Sequence, residues 1–168
     1  QRGLVGRIVA RFERKGLKIV GLKLLGVSED LARRMYSVHE GKEFYEPLVE
    51  FITASPVVAM VLEGGDAVAI CRGLMGPTFG PDAPAGTIRG DFGMSRRYNL
   101  IHGSDSPETA IREIELLFAP DELLDYKLVA ERWIYAEWKG ELIQPGSIAA
   151  GETMGPHQGT GNDRQEGR

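Results

Sequence analysis

The residues best suited to chemistry lie close together. Gly86-Thr87-Ile88-Arg89-Gly90-Asp91 is followed shortly by Asn99-Leu100-Ile101-His102-Gly103-Ser104-Asp105-Ser106. Arg89 in a Gly-rich stretch suits a phosphate. A planar guanidinium makes paired hydrogen bonds to an oxyanion, and glycines let the backbone approach closely. His102 ends an apolar triplet and stands just before a helix start, where free amide groups and the helix dipole favour an anion. An imidazole titrates near neutrality and becomes a competent nucleophile when a carboxylate orients its ring. Glu113, on the helix that follows, can fold back toward His102. The same residues admit a plainer account. A lone histidine after an apolar segment is more often structural. Arg89 can simply pair with Asp91, a surface contact worth little, and a Gly/Pro loop can be an ordinary connection. Residue types and spacing alone therefore reach an anion site near Arg89 and His102, with the structural account still open.

The elements that must position these residues follow from periodicity and capping. Leu4, Val5, Ile8, Val9 and Phe12 give residues 2–15 helical spacing, and Gly16 is a stop signal. Residues 17–27 read as a strand. Ser28 caps a helix over 29–38, with acidic residues in its first turn. Residues 44–54 read as another helix, and 56–62 as a buried strand. Gly64 and Gly65 end that strand, and 66–75 return to helix. From Gly76 to Gly93 the glycines and prolines limit regular structure; so long a loop in a compact domain is usually functional or disordered. Residues 99–103 are expected as a short third strand. Ser106 then caps a helix to about 118, with Pro107 at its first position and Glu108 in its first turn. A further helical turn is expected over 121–126. Strands interleaved with helices make an α/β or α+β sandwich.

Composition narrows the partners and the compartment. A chain of 168 residues fits one domain with a real core. Its net charge of −4 gives no sign of a nucleic-acid or membrane partner, so anionic substrates would need a local basic pocket. Cys71 is the one cysteine, so no internal disulfide forms and a reducing compartment is favoured. No apolar run approaches the roughly 20 residues that span a bilayer. The expected location is the cytoplasm.

The segment Asn99 to Ser106 resembles the active-site signature of the nucleoside diphosphate kinases, N-x-x-H-G-S-D-S/T. Gln1 to Gly6, Arg11 to Gly16, Pro56 to Val61 and Gly86 to Asp91 resemble further family segments in the same order and spacing. Trp133-Ile134-Tyr135 resembles the usual end of the family's chains. The resemblance thus covers about residues 1–135. It implies an α+β, ferredoxin-like βαββαβ sandwich with an antiparallel sheet, the first strand missing from this chain. The domain would occupy 1–138, and 139–168 would be a disordered tail. The implied activity moves the terminal phosphate of a nucleoside triphosphate to a nucleoside diphosphate by a ping-pong route through a phosphohistidine.

The resemblance also assigns roles. His102 would take phosphate on one ring nitrogen while backbone holds the other. Glu113 would orient His102, Ser104 would hold Glu113, and Tyr36 would lie near His102 and the phosphate. Arg72, Thr78 and Arg89 would bind phosphates, and Asn99 would contact the sugar hydroxyls. Phe44 would stack on the base with Leu48 beside it; stacking accepts any base face. Mg²⁺ would bridge phosphate oxygens, held mainly by the nucleotide rather than by protein ligands. The family assembles as hexamers or tetramers, so a homo-oligomer is expected.

Departures qualify these implications. The family's chains open with a strand ending in a lysine motif, K-P-D-x-x, just before the segment that starts here at Gln1. That lysine helps bind the transferred phosphate and the sugar hydroxyl. Without a central strand two neighbours would hold unpaired backbone groups, each costing about 1–3 kcal/mol when buried. A polypeptide starting at Gln1 is therefore expected to fold poorly, or to fill the gap in trans, and to be nearly inactive. Adding back a strand ending in Lys-Pro-Asp-Gly tests this; no gain in stability or rate contradicts it. Phe79-Gly80 stands where the family usually has Asn-Pro, and Arg96-Arg97-Tyr98 where it more often has Val-Gly-Arg. The alternative function is a catalytically impaired nucleotide-binding or assembly module of the same fold. Other phosphohistidine enzymes expect an R-H-G core, and Ile101 precedes His102 here.

Overall fold

The structure, a computed structural model, describes residues 2–135. The boundary expected at 138 and the tail expected at 139–168 lie outside them.

The helices begin and end where side chains can satisfy their free backbone groups. Helix α1 (Val5–Lys15) closes on Gly16, whose φ of +99° suits a residue without a Cβ. Helix α2 (Glu29–Met35) starts at Ser28, whose hydroxyl accepts from Leu31 N–H at 3.2 Å. A 3-10 turn over Ser37–His39 finishes the segment expected as helix to 38. Helix α3 (Tyr45–Thr53) and helix α4 (Ala67–Met75) lie within one residue of expectation. Helix α6 (Pro107–Leu117) begins at Ser106, which accepts from Thr109 N–H at 3.1 Å.

Strand β1 (Lys18–Leu25) pairs antiparallel with β2 (Val57–Glu63), in a register from Lys18 opposite Glu63 to Leu25 opposite Val57. Among the described residues these are the only paired strands. Three apolar clusters pack the helices onto this ribbon. Val27, Ala32, Met35, Tyr36, Tyr45 and Val49 fill the space under α2 and α3. Phe12, Leu17, Met75 and Ile88 join α1 to α4 and the loop beyond it. Val20, Ala59, Val61 and Phe118 seat the end of α6 on the sheet. An apolar groove of about 790 Å³ runs beside β2 between α1 and α6.

Two element expectations need correction, and the loop expected to hold little regular structure carries two short turns. Residues 99–103 are not a strand. Leu100 has φ +73°, which no strand residue adopts. The carbonyls of Asn99 and Ile101, which a ladder would use, accept instead from the Arg89 guanidinium. Within the loop from Gly76 to Gly93, Thr87 caps a one-turn helix, α5 (Ile88–Phe92), and a 3-10 turn forms at Gly80–Asp82. The helical turn expected at 121–126 is a 3-10 turn at Pro120–Glu122. After it the chain runs back along β1, where Leu124 N–H donates to the Val20 carbonyl at 2.8 Å. The last described element is α7 (Glu131–Ile134).

Candidate active site

His102 leaves the irregular 99–103 segment just ahead of α6, and Glu113 lies about two turns into that helix. The helix therefore carries the carboxylate back under the imidazole. His102 Nε2 is 3.0 Å from Glu113 Oε2 and 3.1 Å from Oε1. The Ser104 hydroxyl donates to Glu113 Oε2 at 2.6 Å. Burial pushes the Glu113 carboxyl upward, but the bonds from His102 and Ser104, with the charges of His102 and Arg112, outweigh it and hold the group below its usual value. A carboxylate that stays ionised fixes the tautomer of its imidazole by accepting a hydrogen bond from Nε2–H. The expectation that backbone holds one ring nitrogen is corrected: the buried carboxylate holds it, because an anion out of water needs donors. Nδ1 has no hydrogen-bond partner among the described residues. The His102 side chain is 40% exposed while that of Glu113 is 9%, so the ring has one anchored edge and one open edge.

Tyr36, capping the end of α2, meets the imidazole edge to face with centroids 5.7 Å apart. Its phenol is pushed up to about 12, first by burial and then by the Glu113 charge, so it remains a neutral hydroxyl. His39 stacks on Tyr36 at 6.3 Å and meets Phe44 edge to face at 5.4 Å. A file of rings thus runs from His102 to Phe44. Phe44 caps the start of α3 and is 51% exposed, an apolar face open to a ligand. Leu48, one turn on, packs partly buried against the core.

The cationic side is built from two guanidiniums. Arg89 is buried on α5, its Nε, Nη1 and Nη2 donating to the carbonyls of Asn99 (3.3 Å), Gly76 (2.8 Å) and Ile101 (2.6 Å). A guanidinium carries five N–H donors, so it has more to offer than these three carbonyls take. Burial lowers the Arg89 pKa, and the nearby charge of Arg72 lowers it further. Arg72, in the last turn of α4, donates to the Gly103 carbonyl at 3.3 Å. Two like charges turned toward the His102 segment repel each other, and an anion would relieve that repulsion. Thr78 is exposed two residues past Gly76, beside the carbonyl that Arg89 holds. The Asn99 carbonyl is engaged by Arg89, and its side chain makes no hydrogen bond among the described residues.

Sequence reasoning missed three participants. Asp105 lies inside the histidine motif; a hydrogen bond from Thr109 leads the causes that keep it ionised, with smaller help from Arg72 and His102. His39 carried no sign of joining Tyr36 to Phe44. Arg11 binds Asp91 at 2.7 Å, a pairing across 80 positions that no local pattern announces. The two departures near the site prove to be neighbours. Arg96 lies over the Phe79 ring, 5.4 Å from its centroid, and pairs with Asp82 at 2.9 Å.

A family model described as nucleoside diphosphate kinase matches residues 1–123. The nucleoside diphosphate kinase of Pelotomaculum thermopropionicum is 56% identical over 135 residues, covering 80% of this chain and 91% of the relative. That of Staphylothermus marinus is 52% identical over 126 residues, covering 75% and 89%. Among solved structures, a halophilic nucleoside diphosphate kinase from Halobacterium salinarum in complex with CDP superposes with a TM-score of 0.79 at 52% identity, over 80% of this chain and 90% of that one. The sandwich is therefore of the ferredoxin-like α+β class, and the chain is an enzyme of the phosphotransferase type. It belongs to the nucleoside diphosphate kinase family, whose members move phosphate between nucleotides.

Proposed function

We propose that this enzyme transfers the terminal phosphate of a nucleoside triphosphate to a nucleoside diphosphate in two half-reactions through a phosphohistidine at His102. One observation carries the reading: Glu113 holds Nε2 of the imidazole and leaves Nδ1 without a partner among the described residues, while Arg89 and Arg72 hold the carbonyls of Ile101 and Gly103 on either side of His102. In the first half-reaction the Nδ1 lone pair attacks the terminal phosphorus. The P–N bond forms as the P–O bond to the leaving diphosphate breaks. Glu113, kept ionised, balances the positive charge that grows on the ring. A second nucleoside diphosphate then takes the phosphoryl group by the reverse steps. Most of the catalysis is placement and charge.

Arg72, Arg89 and Thr78 would bind phosphate oxygens, Asn99 the sugar hydroxyls, and Phe44 with Leu48 the base. Tyr36 would close the side of the imidazole, and Ser104 would keep Glu113 aimed. The CDP bound to the Halobacterium salinarum relative supports a nucleoside diphosphate as ligand. Mg²⁺ would arrive on the phosphates, since it keeps several waters and leans on phosphate oxygens with one or two carboxylates. Ionised Asp105, close enough to feel the Arg72 and His102 charges, fits that ion's water shell. The ion's contribution is to neutralise charge on the phosphates.

The catalytic unit would be residues 1–138. Exposed Leu22 and Leu24 on β1, with Val129 and Trp133 near the C-terminal end, support assembly into a homo-oligomer, a hexamer or tetramer. No described helix is long and apolar enough to cross a membrane. The single cysteine suits a reducing compartment, so the cytoplasm is the assigned location, with no specific nucleic-acid partner. Initial rates across a matrix of ATP and GDP concentrations test the route. Parallel double-reciprocal lines are expected; intersecting lines would mean direct transfer between two bound nucleotides.

A further inference from the structure

Arg89 rides on α5, and a helix of five residues has no stability of its own. Part of what holds it is local. The Thr87 hydroxyl accepts from Gly90 N–H at 3.0 Å and donates to the Pro84 carbonyl at 2.7 Å. The rest comes from α1. Arg11 Nη1 donates to Asp91 Oδ2 at 2.7 Å, and its Nη2 donates to the Gly86 carbonyl. Asp91 Oδ1 accepts from Gly86 N–H at 2.7 Å. Arg11, Asp91 and Gly86 thus close a ring of hydrogen bonds around the entry to α5. Gly86 has φ +90°, so the backbone is held in a bend that L side chains adopt poorly.

The ring is anchored from behind. Phe12, next to Arg11, is 1% exposed and shares a core cluster with Ile88, the first residue of α5. The Arg11 and Asp91 side chains are 24% and 30% exposed, so water competes with the pair only in part. Asp91 lies two positions from Arg89. A forked guanidinium on a carboxylate and a carbonyl fixes direction as well as distance, which a lysine in its place would not do.

We propose that Arg11 and Asp91 are positioning residues for phosphate transfer, holding α5 so that the Arg89 guanidinium stays beside Arg72 and His102. The proposal rests on the reading of Arg89 as a phosphate ligand. Neither residue touches the reacting atoms; both act through the backbone that carries Arg89.

The experiment compares the whole protein with Arg11→Ala, Arg11→Lys, Asp91→Asn, Arg89→Lys and the double variant Arg11→Ala/Arg89→Lys, measuring KM and kcat for ATP. Arg11→Ala is expected to raise KM about tenfold with kcat nearly intact, within the range that a small misplacement of a binding group can cost. Arg11→Lys and Asp91→Asn should fall between it and the parent. The double variant should be no worse than Arg89→Lys alone, because residues that act through one another are not additive. A general loss of folded protein lowers apparent kcat and leaves KM unchanged; that result for Arg11→Ala overturns the proposal. So does an Arg11→Ala loss that appears in full in the Arg89→Lys background. If Arg11→Ala does not fold, Asp91→Asn carries the same comparison. A parental KM for Arg89→Lys is the separate result that overturns the phosphate reading of Arg89 itself.

Discussion

The Glu113 carboxylate is buried, yet hydrogen bonds from His102 and Ser104 keep it ionised. Replacing it by Gln keeps the shape but offers Nε2 an uncharged acceptor, or an N–H that competes with its proton. Outer partners that orient metal-bound histidines commonly carry 10–100-fold effects, and Glu113 holds the His102 imidazole in the same way. Glu113→Gln is expected to slow phosphohistidine formation about 10²-fold in a quenched-flow assay. An unchanged rate would show that the carboxylate does not set the ring. The pH dependence of stability has a definite sign. A carboxyl whose folded-state pKa lies below its ordinary 4.5 stabilises the fold fully above that value. The contribution is lost as pH falls through the lower, folded-state value. Denaturant midpoints should therefore drop on the acid side of 4.5 in the parent, and drop less in Glu113→Gln. At the other end of the site, Phe44→Ala removes the exposed ring. Base stacking is worth about 1–3 kcal/mol, so KM should rise about tenfold for every nucleotide alike. A loss confined to one base would argue against a stacking platform.

At the scale of elements, helices were the most legible because caps and stops are local. Ser28, Ser106 and Gly16 sit where the sequence places them, each bonding within its own helix end. The segment 99–103 misled because an apolar triplet has the composition of a strand, whereas Leu100 takes a left-handed turn and the Arg89 side chain takes the carbonyls. Neither is written in the triplet itself. Helix α5 was hidden for a similar reason: beyond the Thr87 cap, its hold comes from Arg11, on a different element. The closeness of backbone there makes Gly90 irreplaceable, since a Cβ would collide with the Pro84 carbonyl. Strand β1 offers a stability test. Lys18 and Glu63 pair at 2.6 Å with side chains 8% and 13% exposed. Without the Glu63 charge Lys18 keeps the Tyr126 carbonyl at 2.8 Å and has the exposed Asp125 carboxylate at 3.8 Å, so Glu63→Gln should destabilise by about 2 kcal/mol in denaturant unfolding, less than a charge left with no partner costs. A change below ~1 kcal/mol, the value of a surface pair, would mean that water reaches the site.

For the whole molecule, the sequence motif around His102 located the reacting group, and the order of segments located its helpers. What it could not supply was the long-range joinery. The file of rings from Phe44 through His39 and Tyr36 to His102 spans three elements. The contact of Phe79 with Arg96 pairs two departures that looked unrelated in the chain. Such contacts arise from packing, which brings together residues with no local signature. The central claim is that phosphate passes through His102. Incubation with Mg²⁺ and γ-labelled ATP, followed by an assay for acid-labile label on the protein, tests it most directly. The account predicts label that chases onto added GDP and is absent in His102→Ala. Label that persists in His102→Ala, or folded parent protein that takes none, would contradict it.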